Sequence, residues 1–258
     1  MVHPACCGTV SRPRLVPLAA AVAAALLVSG CASSKKVIGT HSSPTQSYVA
    51  PGSADARREV ASWSKSYERN PSDRTAVLGY ANALRRNGQI EQAMAVLRSA
   101  IIANGNDREI ASAYGKILAM NGNFAEALNV LQAAQTPQNP DWRLLSAEGA
   151  VHDQMGNHAR ARSLYNQASK IAPDEPSLLN NLGLSHLLSG ELPEAEYTLR
   201  KASQSPRADS RIRQNLALAL GLQGKFAEAE QVARSELDPA QAEANIAYLK
   251  TMIAQSRS

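Results

Sequence analysis

Gly88-Gln89-Ile90-Glu91-Gln92-Ala93 sets a glycine, a bulky residue two places on and an alanine five places on, and the chain returns to that pattern four more times. The later copies are Gly122-Asn123-Phe124 with Ala127, Gly156-Asn157-His158 with Ala161, Gly190-Glu191-Leu192 with Ala195, and Gly224-Lys225-Phe226 with Ala229, each glycine 34 residues after the last. Glycine suits a turn that needs a positive φ, and alanine lets two helices approach closely. Counting back from each glycine gives units at 74–107, 108–141, 142–175, 176–209 and 210–243. The eighth place of the unit is then Ala81, Gly115, Gly149, Gly183 and Ala217, small every time, as a close helix crossing requires. The twenty-seventh is Ala100, Ala134, Ala168 and Ala202, with Glu236 breaking the row.

A 34-residue period is the length of the tetratricopeptide (TPR) unit, a helix-turn-helix that buries its apolar face by stacking on its neighbours. Pro173 stands where that family usually has its proline. The expected architecture is therefore an all-α, right-handed superhelical solenoid of five TPR repeats. Composition agrees: 44% of the 258 residues are apolar but only 4% aromatic, with alanine and leucine prominent, and no alternating β-branched run is present. Lys225 is expected on an exposed turn between helices.

Residues 54–73 predict a covering helix with Val60, Trp63 and Tyr67 on one face, Trp63 belonging to the core. Residues 239–258, overlapping the end of repeat five, predict a capping helix opened by Pro239, with Ile246, Leu249 and Ile253 aligned. Such covers keep apolar array ends from associating.

Residues 1–30 have the form of a secretory signal: Arg12 and Arg14 precede an apolar run from Leu15 to Val28, too short for the roughly 20 residues that span a bilayer. Val28-Ser29-Gly30-Cys31 resembles the bacterial lipobox, which implies cleavage before Cys31 and lipidation of that cysteine. Cys6 and Cys7 would leave with the signal, so no intramolecular disulfide is expected. By the same resemblance, Ala32 implies sorting to the outer membrane, with the protein lipid-anchored on its periplasmic face. Residues 31–53 form a tether of serine, proline and glycine; as a flexible coil its ends would lie on the order of 25 Å apart.

Net charge is +5, with acidic residues interleaved throughout, so no basic stripe of the kind nucleic acid requires is evident. No HExxH, CxxC, GxSxG or phosphate-cradling loop is present, which argues against an enzyme, a cofactor or a small-molecule substrate. His152, Asp153 and His158 are close in sequence, but His152 and His186 share the eleventh place of their units, where packing is expected, and no metal site is assigned.

Within the last hundred or so residues, Asp141-Trp142-Arg143-Leu144-Leu145, Asn180-Asn181-Leu182-Gly183-Leu184-Ser185, Ala195-Glu196 with Leu199-Arg200, Arg213-Gln214-Asn215-Leu216-Ala217-Leu218 and Asn245-Ile246-Ala247-Tyr248-Leu249-Lys250 resemble the TadD family, the TPR lipoproteins of the tight-adherence (Flp pilus) apparatus. That resemblance implies a periplasmic adaptor for pilus assembly and secretion, with the pilus secretin or another Tad apparatus protein as partner. Two alternatives share the tethered groove: a pilotin for a type IV pilus or type II secretin, and a substrate adaptor for a periplasmic protease or cell-wall hydrolase.

In some TPR arrays the sixth place of the first helix presents asparagine to a bound peptide. Asn181 and Asn215 hold that place, and Asn245 aligns with them by its Asn-apolar-small pattern. With Leu184, Leu188, Leu218 and Leu222 at the ninth and thirteenth places, and Arg211 at the rim, these predict an apolar peptide-binding groove on the C-terminal half.

Overall fold

The computed structural model describes residues 50–103 and 107–256. The signal, Cys31 and the tether up to residue 49 lie outside them. The described residues form twelve helices: α1 (Ala54–Arg69), α2 (Arg74–Arg86), α3 (Ile90–Ala103), α4 (Arg108–Met120), α5 (Phe124–Ala134), α6 (Trp142–Gln154), α7 (His158–Ile171), α8 (Pro176–Leu188), α9 (Leu192–Ser203), α10 (Ser210–Leu222), α11 (Phe226–Arg234) and α12 (Pro239–Ser256). Among the described residues the only β-type pairing is an isolated bridge, Thr136 to Asn139, in the loop between α5 and α6.

Each repeat is an antiparallel pair whose turn is fixed by its glycine. Gly88, Gly122, Gly156, Gly190 and Gly224 all have φ between +75° and +81°. The residue after each glycine donates its N–H back across the turn, as Gln89 does to Leu84 O at 2.9 Å and Asn157 to His152 O at 2.8 Å. That satisfies carbonyls a helix end otherwise leaves open.

The start of each first helix is fixed by an acid immediately before the unit. Asp73, Asp107, Asp141, Glu175 and Asp209 are the N-caps of α2, α4, α6, α8 and α10, each accepting from a backbone N–H of the first turn. A carboxylate there satisfies an orphan donor and meets the positive end of the helix dipole. Asp107 also holds Arg74, 2.6 Å away, and Glu175 holds Arg207 at 2.8 Å, so the caps tie one unit to the next.

Small residues at the eighth place have a direct steric cause. A Cβ on Gly115 would lie 2.6 Å from Leu131 Cγ, on Gly149 2.7 Å from a Tyr165 ring carbon, and on Gly183 2.6 Å from Leu199 Cγ. In repeat five the pair is Ala217 and Ala233, small against small. Helices pack mainly on their sequence neighbours, and the first helices also touch along the row α2, α4, α6, α8, α10 and α12. At both ends a large side chain lies against a glycine: Trp63 of α1 against Gly79, and Leu249 of α12 against Gly221. Trp63 remains half-buried, while Leu249 is buried.

The apolar core is continuous from Val77 to Val151 and resumes with separate clusters in the later repeats. Between repeats three and four it takes in a polar cluster. Asp153 accepts from the Tyr165 hydroxyl at 2.9 Å and the Ser185 hydroxyl at 2.8 Å, and lies 2.9 Å from His158 Nδ1. Burial, followed by the charge of Asp153, pushes the Tyr165 phenol well above its ordinary pKa. Lys225, expected on an exposed turn, is exposed there and is also paired: its ammonium lies 2.6 Å from Glu196, which also bonds Arg200 and Gln223.

Candidate functional site: a cationic concave cavity

The first helices of the repeats face a common concavity of about 630 Å³, to which α2, α4, α6, α8 and α10 all contribute. The sixth, ninth and thirteenth places supply much of its wall: Ala113, Ala147 and Asn181; Asn82, Lys116 and Ala150; Met120 and Gln154. These are the places from which a groove was expected, but the open surface lies over repeats one to four, with repeat five closing it through Arg211 and Ile212.

The leucines expected to form an apolar groove on the C-terminal half lie largely against neighbouring helices. Leu218 is buried, and Leu184 and Leu222 are half-buried against a cluster that includes Ile246, Leu249 and Ile253 of α12. Leu188 is half-buried and does not line the cavity. α12 packs on α10 and α11, which shields Leu218 and part of Leu222, the favourable outcome for apolar side chains.

The asparagines divide in the same way. Asn181 lines the cavity and donates its amide to the Ser146 hydroxyl, 3.0 Å away in the preceding first helix. Asn215 does the equivalent to Asn180 Oδ1 at 2.8 Å, outside the cavity lining. The two form a ladder between neighbouring first helices. Asn245 is exposed on α12 and joins neither the ladder nor the cavity. Arg211 lies at the cavity edge, as expected, with Asp209 2.8 Å from its guanidinium.

Four cationic side chains reach this concavity: Arg85 from α2, Lys116 from α4, Arg143 from α6 and Arg211 from α10. Glu109 is the one carboxylate in the lining. Arg85 donates to Asn82 Oδ1 at 2.7 Å and Arg143 stacks on Trp142 at 4.7 Å, but among the described residues neither of them, nor Lys116, has a carboxylate partner. Lys116 is exposed, but desolvation by the surrounding wall, followed by the charges of Arg211 and Arg143, pushes its ammonium below its ordinary pKa. Burial likewise lowers Arg85, followed by Arg86 and then Arg211. Repeats one and five thus bear on a single electrostatic site.

Two of the histidines are held by carboxylates. His158 is bonded to Asp153 and His186 to Glu191, and among the described residues no group of three or more His, Cys, Asp or Glu could hold a metal ion.

Family models of the tetratricopeptide repeat match residues 53–108 and 81–141, 118–184, and 211–235. This is a tetratricopeptide-repeat array. The first match begins at residue 53 and so takes in α1. No curated protein matches the chain. Among solved structures it resembles the APC/C hetero-tetramer Cut9–Hcn1 with 16% identity and a TM-score of 0.60, over 79% of this chain and 40% of that one. A thermophilic TPR protein from Thermus thermophilus gives 21% identity and 0.56, over 64% of this chain and 90% of that one. The human IFIT1 dimer with m7Gppp-AAAA gives 17% and 0.59, over 72% and 47%. The chain thus spans less than half of the Cut9–Hcn1 and IFIT1 chains it resembles. At these identities the likeness is one of fold. The TPR array makes the chain a scaffold for protein partners.

Proposed function

We propose that this scaffold is an outer-membrane-anchored periplasmic adaptor of the tight-adherence (Flp) pilus apparatus, holding the pilus secretin or another apparatus component in its concave cavity. The observation that carries the reading is where the TadD-like motifs fall. Some of their residues serve the repeat itself: Gly183 under Leu199, and Leu216 to Leu218 in the core. Others reach the cavity, Asn180 and Asn181 while also bonding to Asn215 and Ser146. Arg143, Asn180 and Asn181 line the cavity, from the two motifs Asp141 to Leu145 and Asn180 to Ser185. The lipobox-like Val28-Ser29-Gly30-Cys31 and the serine-rich tether supply the membrane half of the reading. Several acyl chains at about 0.8 kcal/mol per buried methylene hold stably where one holds marginally.

The test is metabolic labelling with a palmitate analogue, followed by membrane fractionation. Wild type is expected to label and to sediment with outer membrane. Cys31→Ser is expected to do neither, and Ala32→Asp is expected to label but stay at the inner membrane. Equal labelling of Cys31→Ser would refute the anchor.

A further inference from the structure

We propose that the last residues of the tether, 44–49, fold back onto the N-terminal end of the array, with Pro44 packed on Trp63. The site lies apart from the concavity, and the contact is made within this chain whatever partner the array holds. From repeat two onward each first helix packs on the first helix before it. The sixth place serves that contact in the later repeats, where Asn181 bonds to Ser146 and Asn215 to Asn180. In repeat one the sixth place is Gly79, and among the described residues no earlier first helix stands against it. Trp63 of α1 lies there instead, its ring over Gly79 and half-buried. Beside that ring is a cavity of about 420 Å³ lined by Trp63, Ser66, Asn70, Asp73 and Thr75 among others.

The occupant follows from where the described chain begins. Gly52 donates its N–H to Asn87 Oδ1 at 2.9 Å, the Arg57 guanidinium holds the Gly52 carbonyl, and a Cβ on Gly88 would lie 3.7 Å from Pro51 Cβ. The tether therefore meets the array at the C-terminal end of α2. Gly52 has φ +74° and precedes the start of α1 by two residues, as Gly88 precedes that of α3, so α1 is placed like the second helix of a unit. The residues ahead of it, Pro44-Thr45-Gln46-Ser47-Tyr48-Val49, carry no apolar period for a first helix, and a proline biases its neighbourhood toward extended chain. From Asn87 back to Thr75 is twelve residues, about 18 Å of helix rise. From Ala50 back to Pro44 is six residues, about 19 Å as polyproline-type chain. The lengths match, and Pro44 reaches the cavity at Trp63 and Thr75. Proline packs on aromatic faces, as in the docking of proline-rich segments, and the hydroxyls and amides of Ser66, Asn70 and Thr75 suit the polar Thr45 and Gln46. The free tether is then residues 32–43.

The experiment uses the full acylated chain in detergent micelles. The sequence has two tryptophans, so Trp142→Phe leaves Trp63 as the single fluorophore. In that background Pro44→Ser is expected to raise acrylamide quenching of Trp63 at least twofold and shift its emission to the red, with the helical signal unchanged. A second measurement reads position directly. Thr45→Cys is combined either with Thr75→Cys, at the cavity, or with Ser99→Cys, exposed on α3 and about as far from the Gly88 turn by helix rise. Under mild oxidation the Thr75 pair is expected to close an intramolecular disulfide at least fivefold faster than the Ser99 pair. A tether without a seat would reach both alike, so equal rates would overturn the proposal, as would unchanged quenching in Pro44→Ser. A disulfide-linked dimer from the Thr75 pair would give the end face to a second copy and overturn it too. The tryptophan measurement uses no thiol and holds whether or not Cys31 is acylated, so its failure is distinguishable from failure of the anchor.

Discussion

Gly183 illustrates how closely a single residue is specified here. Its missing Cβ would sit 2.6 Å from Leu199 Cγ, an inner atom that cannot swing away as a side-chain tip can. Gly183→Ala is expected to cost about 1–3 kcal/mol through overpacking, measured by urea unfolding. Leu199→Ala leaves a cavity on its own, but in the double variant the alanine pair reproduces the Ala217 and Ala233 contact of repeat five, so the two losses should be less than additive. Gln167→Ala, at an exposed position of α7, is the control and should fall within about 0.5 kcal/mol. Strictly additive losses would show that these residues do not share the contact. Smallness at the eighth place was legible because it recurs at every 34th residue; the partner that imposes it, variously Leu131, Tyr165 and Leu199, was not, because its identity changes.

At the scale of elements, the joins between repeats carry polar groups that a packing argument does not foresee. Asp153 serves Tyr165 and Ser185, both buried, so Asp153→Ala orphans two donors and is expected to cost about 1–3 kcal/mol. Tyr165→Phe removes a donor and leaves Asp153 its other partners, so it should cost less. A larger loss for Tyr165→Phe in the same unfolding experiment would contradict this network. Glu196 joins α9 to the turn before α11. Its hydrogen bonds with Arg200 and Lys225 hold its pKa down to about 2 against an ordinary 4.5, with burial opposing them. The folded-state pKa is the lower one, so this contribution is present above pH 4.5 and is lost as pH falls toward 2. Between those values wild type is expected to lose more stability than Glu196→Gln; parallel acid-unfolding curves would contradict it. Lys225 lies on an exposed turn as expected, but its partner was not legible because it is 29 residues away across a repeat boundary. The five acidic caps were detectable by their 34-residue spacing, a signal as regular as that of the glycines.

Across the whole molecule, the period made the helix pairs and their stacking readable, whereas the curvature that creates the site was not readable. Arg85, Lys116, Arg143 and Arg211 occupy the twelfth, ninth, second and second places of their units, so no register argument groups them. They converge because α2, α4, α6 and α10 all line one concavity. Residues at the sixth, ninth and thirteenth places of the earlier repeats line the concavity, whereas α12 packs on α10 and α11 beside Leu218 and Leu222. Asn181 and Asn215 share a place in register, yet bonding to the preceding helix depends on lateral offset between helices, which sequence spacing does not encode. The central claim, that a Flp apparatus component lies in the concavity, is tested most directly by site-specific photocrosslinking in pilus-assembling cells. A photoreactive residue at Gln154, in the cavity wall, is compared with one at Gln167, on the outer side of α7. The account predicts an adduct containing the pilus secretin or another apparatus protein from position 154, weakened by Lys116→Gln/Arg143→Gln, and none from position 167. Adducts from position 167 alone, or adducts from position 154 that contain no apparatus protein, would contradict it.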